Sequence, residues 1–229
     1  MKMNRVLRKD DPEAYESFFE RILDYNNTEH GQKEDALLKW STILEAAEHL
    51  EIEDGVVLDA GCGPGHLSLF FIEKGMHAIL IDMNQLPSLC MEREESVTGI
   101  VDDFFSAIKS VDDNSVDFVF DACAVTHFDI KTEITANDGL SRAAKEINRV
   151  LKPGGYFICA SDAHNHVEEG EFVMPDIMKN LIEESGLVSL EDDISYPFNH
   201  CLSEDPNAED ETYYVAGGIH IVRLVFRKP

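Results

Sequence analysis

Three places in this 229-residue chain gather side chains that could do chemistry. The first is Asp59-Ala60-Gly61-Cys62-Gly63-Pro64-Gly65-His66, a carboxylate followed by three alternating glycines. Glycine serves where φ must be positive or where a ligand has to approach the backbone. The second is His127, with Asp121 and Asp129 close by in sequence. An imidazole there could deprotonate a hydroxyl or orient an amine, and the carboxylates could receive a cation. The third is Ser161-Asp162-Ala163-His164-Asn165-His166, followed by Glu168 and Glu169. His164 and His166 could contact an acceptor, and beside Asp162 they could also ligate a divalent metal. A strand would put both histidines on one face; a loop would leave them unrelated.

The elements that must position these groups follow from the apolar pattern. Val56-Val57-Leu58 is a short buried-strand run leading into the glycine loop, and an apolar helix follows from His66 to Lys74. Further strand runs are His77 to Asp82, Thr98 to Val101, Val116 to Phe120 and Tyr156 to Ala160. Helical stretches lie between most of them, notably Gly139 to Val150. Strand–helix alternation of this kind implies parallel βαβ units, and uniformly apolar strands suit a sheet covered on both faces. After a helix from Asp176 to Ser185 come two more strand runs, Val188 to Ile194 and Ile219 to Arg227, separated by an acidic segment that includes residues 203–211. They predict a terminal antiparallel hairpin, with the acidic segment a solvated connection or a lid. The first fifty residues read as helical, one helix from Pro12 to about Asn26 and another from about Glu34 to Leu50. Tyr15, Phe18, Phe19, Tyr25 and Trp40 would serve there as core packing or as aromatic pocket walls.

Composition narrows the partners. Nineteen Lys and Arg against 45 Asp and Glu leave a net charge of −26. Such a surface repels phosphate backbones and anionic lipid, so neither nucleic acid nor membrane is the expected partner. It suits a small neutral or cationic acceptor, and equally it keeps a protein soluble. No apolar stretch approaches the ~18 residues of a transmembrane helix. The mixed-charge start lacks a signal-peptide core, so a cytoplasmic location is expected. Five cysteines without a CxxC pair argue against structural zinc or a disulfide frame.

The glycine loop discriminates among nucleotide folds. A dinucleotide fingerprint would need its third glycine at position 66, which is His, and no GxxxxGK[ST] occurs. The spacing is G-x-G-x-G. On LDAGCGPG (58–65), on Val116-Asp117-Phe118-Val119-Phe120-Asp121 and on Leu151-Lys152-Pro153-Gly154-Gly155-Tyr156-Phe157, the chain resembles the class I S-adenosylmethionine-dependent methyltransferases of small-molecule type. The resemblance covers roughly residues 52 to 229. It implies an α/β fold: a doubly wound, mostly parallel seven-stranded sheet with a C-terminal antiparallel hairpin and an N-terminal helical cap. The whole chain is expected to be one methyltransferase domain, residues 1–52 forming the cap and 53–229 the Rossmann-like core.

The same resemblance implies S-adenosylmethionine as cofactor and S-adenosylhomocysteine as product. It puts Gly61, Gly63 and Gly65 against the cofactor, with Cys62 as a small space-filler. Asp82, followed by Met83, would grip the ribose hydroxyls, since a carboxylate can accept from both. Asp103 and Phe104 would meet the adenine, with Asp102 the competitor. Asp121 and Ala122 complete the set. Asp59 has two readings, one at the methionine end or glycine loop and one holding backbone amides. The catalytic candidates are His127, His164 and His166, and no metal is expected. The implied reaction is methyl transfer to an O or N atom of a small molecule. The alternatives are aminopropyl transfer to a polyamine and cofactor binding without catalysis.

Overall fold

A computed structural model of the chain describes residues 3, 5–8, 33–128, 136–166, 172–173, 175–191, 212–213 and 220–229. Five strands carry the parallel core: β2 (Val56–Ala60), β3 (His77–Asp82), β4 (Val97–Val101), β5 (Val116–Ala122) and β6 (Leu151–His166). β2 pairs in parallel with β3 on one side and β5 on the other; β4 extends the sheet beyond β3 and β6 beyond β5. The chain therefore winds outward in both directions from β2. A crevice opens at that reversal, outside the carboxyl ends of the strands, and it is where ligands of such sheets bind.

Period-two burial builds a core on each face. On one side Val57, Phe118, Phe120 and Ile158 pack with Trp40, Ile43 and Leu44 of α1 (Lys33–His49) and with Phe71 of α2 (His66–Glu73). On the other, Leu58, Val119, Phe157 and Cys159 meet Leu140, Ala143 and Ile147 of a long helix (Ala136–Val150) and Met178 and Ile182 of another (Pro175–Glu183). The expected α/β class and the boundaries of β3 and α2 hold to within a residue. No helix of the described residues is long and apolar enough to cross a membrane.

Two expectations change at the sheet edge. Residues 5–8 form a strand, β1 (Arg5–Arg8), within the stretch read as helical. The cause is tertiary: the last strand of the chain (His220–Arg227) offers an edge, and β1 pairs with it antiparallel from Arg5↔Arg223 to Arg8↔His220. That last strand pairs antiparallel with β6 along its whole length, His220↔Ala163 to Arg227↔Tyr156. Its partnership with the strand Val188–Ser189, the predicted hairpin, is two residue pairs long. β6 also outruns its prediction, because short strands at Phe172–Val173 and Thr212–Tyr213 pair with it near His164 and His166. The side chains of Asp162, His164 and His166 lie outside the described residues, as do the helix expected at 12–26, Asp129, Glu168, Glu169 and the acidic segment 203–211.

Candidate cofactor cleft

The glycine loop joins β2 to α2, and its three glycines have positive φ for different reasons: 92° at Gly61, 47° at Gly63 and 74° at Gly65. A Cβ on Gly61 would fall 2.3 Å from that of Ala124, and one on Gly65 would fall 2.4 Å from Pro87. At these two positions the packed protein itself leaves no room for a side chain. At Gly63 nothing lies within 4 Å, so this position faces open space in the cleft. The amides of Gly61 and Cys62 both donate to the Ile81 carbonyl at 3.0 Å, which holds the loop against the end of β3.

Asp59 ends up 4% exposed, its carboxyl hydrogen-bonded by the Ser68 hydroxyl of α2. Burial, reinforced by the carboxylates of Asp121 and Asp82, pushes its pKa up to about 8. The partner is a side-chain hydroxyl, so the backbone-amide reading of Asp59 finds no support in its hydrogen bonding. Burial next to Asp59 likewise pushes the Cys62 thiol far up, consistent with an inert filler.

Asp82, at the end of β3, uses both oxygens: Oδ2 accepts from the Gly63 amide at 3.0 Å and Oδ1 from the Asn84 amide at 2.9 Å. Each oxygen keeps a second acceptor site. At the end of β4 the two neighbouring carboxylates separate. Asp103 turns away to cap a short helix (Phe104–Ala107), accepting from the Ser106 amide at 3.1 Å. The Ser106 side chain, helped by the Ser106 and Phe105 amides, lowers its pKa. Asp102 instead lines a hollow with Asp82, Met83, Asn84 and Phe104. Of the pair expected near the adenine, Asp102 lines this hollow, whereas Asp103 is taken up by the helix cap. Phe104 lies flat on Phe128, ring centroids 4.4 Å apart and planes 16° from parallel.

Asp121, at the end of β5, is fully buried. Its Oδ1 accepts from the Ala124 and Val125 amides at 2.7 and 3.0 Å, and Oδ2 takes the Cys159 thiol at 3.3 Å. Burial raises its pKa. Through these hydrogen bonds it shapes the loop after β5, and it lines neither of the two hollows described below. The loop it shapes carries Cys123 at φ 69°, a left-handed conformation unusual outside glycine. The Cys123 sulfur lies 3.8 Å from His127 Nε2 and 3.5 Å from the Ser161 hydroxyl.

Two hollows result. One, of about 210 Å³, runs over Asp82, Asp102, Phe104 and Phe128. The other, of about 220 Å³, lies over Lys39, Trp40, Asp59, Gly63, His66 and Ala122. Gly61, Cys123 and His127 line both and so form the seam between them. Sequence reasoning placed His127 correctly in this cleft and weighed Trp40 as a wall; Trp40 packs its ring against His66 at 5.4 Å. It missed Lys39, Cys123 and Phe128. A signal for Lys39 was present: it sits between Ala36, Trp40 and Ile43 on the apolar face of α1, and it is only 6% exposed. No group of three or more metal-ligating side chains was found among the described residues.

Known proteins resemble this arrangement. Residues 58–159 match the family model described as "Methyltransferase domain". YqeM, a candidate methyltransferase of Bacillus subtilis (strain 168), is 27% identical over 183 residues, spanning 79% of this chain and 67% of its own. The Burkholderia thailandensis 1,6-didemethyltoxoflavin-N1-methyltransferase, solved with 1,6-didemethyltoxoflavin and S-adenosylhomocysteine, superposes with a TM-score of 0.56 at 16% identity, covering 85% of this chain and 78% of that one. The 4+2 cyclase SpnF gives 0.59 at 18% identity, covering 86% and 82%. At such identities the superpositions speak to the fold, and a cyclase among them shows why.

Proposed function

We propose that this chain is a class I S-adenosylmethionine-dependent methyltransferase and that it methylates an oxygen or nitrogen of a small neutral or cationic molecule in the cytoplasm. The carrying observation is the pair of hollows that meet at Gly61, Cys123 and His127. The donor set fits the cofactor. Asp82 at the strand end offers its remaining acceptor sites to the ribose hydroxyls. Asp102 and the stacked Phe104 and Phe128 suit an adenine, and the open side of Gly63 leaves room for the methionine chain that leaves the ribose. Lys39 and Asp59 flank the other hollow, one for a carboxylate and one for an ammonium group.

When bound, S-adenosylmethionine supplies a methyl carbon activated by its sulfonium. The protein's task is alignment and exclusion of water, with a base where the acceptor needs one. His127 stands at the seam with an exposed ring, where it holds the acceptor's hydroxyl or amine and takes its proton. His164 and His166 remain secondary candidates for acceptor contact on the strand that passes Ser161. The cleft's hollows of about 200 Å³ each suit small ligands. The small-molecule ligand of the Burkholderia thailandensis neighbour supports the same class of acceptor.

The test is calorimetric titration with S-adenosylmethionine and S-adenosylhomocysteine on wild type and Asp82→Ala, followed by mass spectrometry on a panel of small amines, alcohols and phenols. Binding lost in the variant, with one methyl group added to a panel member, supports the reading. Aminopropyl transfer from decarboxylated cofactor to a polyamine would replace it.

A further inference from the structure

Three carboxyls line the cleft, and they differ in access to water. Asp102 is exposed, Asp82 half-buried, and Asp59 is 4% exposed at the bottom of the hollow beside Gly61 and Gly63. Charged and titratable groups share the hollow with Asp59 or act on it from the elements around it. From α2 come the Ser68 hydroxyl, which donates to it, and His66. Lys39 comes from α1 and Cys62 from the glycine loop. Asp82 stands at the end of β3 and Asp121 at the end of β5, and both repel a negative charge on Asp59. Cys123 and His127 complete the rim, and Cys159 and Ser161 of β6 lie behind Asp121 and Cys123.

Even with the Lys39 side chain on the same hollow, burial holds the Asp59 proton at neutral pH. The cofactor changes that condition. Its sulfonium and ammonium charges exceed its one carboxylate, so it brings net positive charge, whereas the thioether product is neutral overall. A cation within a few ångströms of a buried acid favours the carboxylate.

We propose that binding of the sulfonium cofactor is coupled to release of the Asp59 proton to solvent, and that loss of the sulfonium charge on methyl transfer returns a proton to Asp59 and loosens the product. Asp59 is then a specificity-determining residue, one that makes the enzyme prefer charged cofactor over spent cofactor as pH rises. The inference rests on the cofactor assignment above. Its charges balance: protonated Asp59 plus a singly positive cofactor gives carboxylate, bound cofactor and one free proton.

Titration calorimetry in buffers of different ionisation enthalpy counts that proton. At pH 7 the wild type is expected to release close to one proton with S-adenosylmethionine and clearly fewer with S-adenosylhomocysteine. The affinity for S-adenosylmethionine should tighten by about tenfold per pH unit below pH 8, as linkage of one proton requires. Asp59→Asn should abolish the release and flatten the pH dependence. Should that variant not fold, Ser68→Ala removes the hydroxyl that supports the carboxylate, and the break in the affinity profile must then move to higher pH. Equal proton release with both ligands, or an unchanged release in Asp59→Asn, overturns the inference alone. Failure of folded wild type to bind either nucleoside overturns the cofactor reading with it.

Discussion

The Gly63 amide donates to Asp82 Oδ2 at 3.0 Å, so the loop after β2 and the end of β3 are tied together by the carboxylate assigned to the ribose. The Asn84 amide holds the other oxygen at 2.9 Å and fixes the plane of the carboxylate. Two strands that neighbour each other across the crevice thus present one preorganised acceptor, and the glycine loop contributes to it without a side chain.

Gly63→Ala should therefore separate folding from binding. Its Cβ meets nothing, and the positive φ costs about 1 kcal/mol. The variant should fold, with cofactor affinity at least ~10-fold weaker because a methyl group fills the cleft. Gly61→Ala drives a Cβ to 2.3 Å from Ala124 and should instead lower the melting temperature. Thermal melts and cofactor titration of both variants check the contrast; equal melting temperatures would contradict it.

The adjacent carboxylates at the end of β4 should fail differently. Asp102→Asn should weaken cofactor binding and leave stability near wild type. Asp103→Ala removes a helix cap and should cost about 1 kcal/mol with little change in affinity. The sign of the pH effect follows. The folded pKa of Asp103 is lowered, so its contribution is present above the ordinary carboxylate range and is lost as pH falls through the folded value. Denaturation curves at pH 7 and pH 3 should show the Asp103→Ala penalty shrinking at the lower pH.

His127→Asn should reduce kcat by about 10²- to 10⁴-fold, the range for removal of a general base. Cofactor affinity should change by only about twofold, since the seam is shared but the binding groups lie on either side. A kcat within about twofold of wild type on an identified acceptor would remove His127 from the chemistry.

Arg223 carries the junction between the two ends of the chain. Its guanidinium is fully buried and donates to the Met3 carbonyl at 2.7 Å, to the Thr42 carbonyl at 2.9 Å and to Glu45 Oε2 at 2.6 Å. Arg223→Met leaves those acceptors without their donor and should destabilise the fold by about 3 kcal/mol or more. Urea denaturation measures it. Because α1 supplies Lys39 and Trp40 to the cleft, cofactor affinity should fall with it.

What could be read from the chain alone was local. A strand that runs into Asp59, three glycines at alternate positions and a helix opening at His66 are dictated by neighbours a few residues apart, and the structure keeps all of them, the strand ending at Ala60. Asp82 at a strand end and Phe104 beside a carboxylate were legible for the same reason. Adjacent residues were not separable: Asp102 and Asp103 have the same chemistry, and only the start of the helix at Phe104 turns one into a cap and leaves the other in the hollow. Nor was β1, since four residues become a strand only when a partner more than two hundred residues away offers an edge. The seam at Gly61, Cys123 and His127 also needed the tertiary structure. It exists because β2 and β5, distant in sequence, pair in parallel and bring their loops together. Backbone conformation is set by short-range sterics, whereas a cleft is set by register between strands that meet only after the chain has closed on itself.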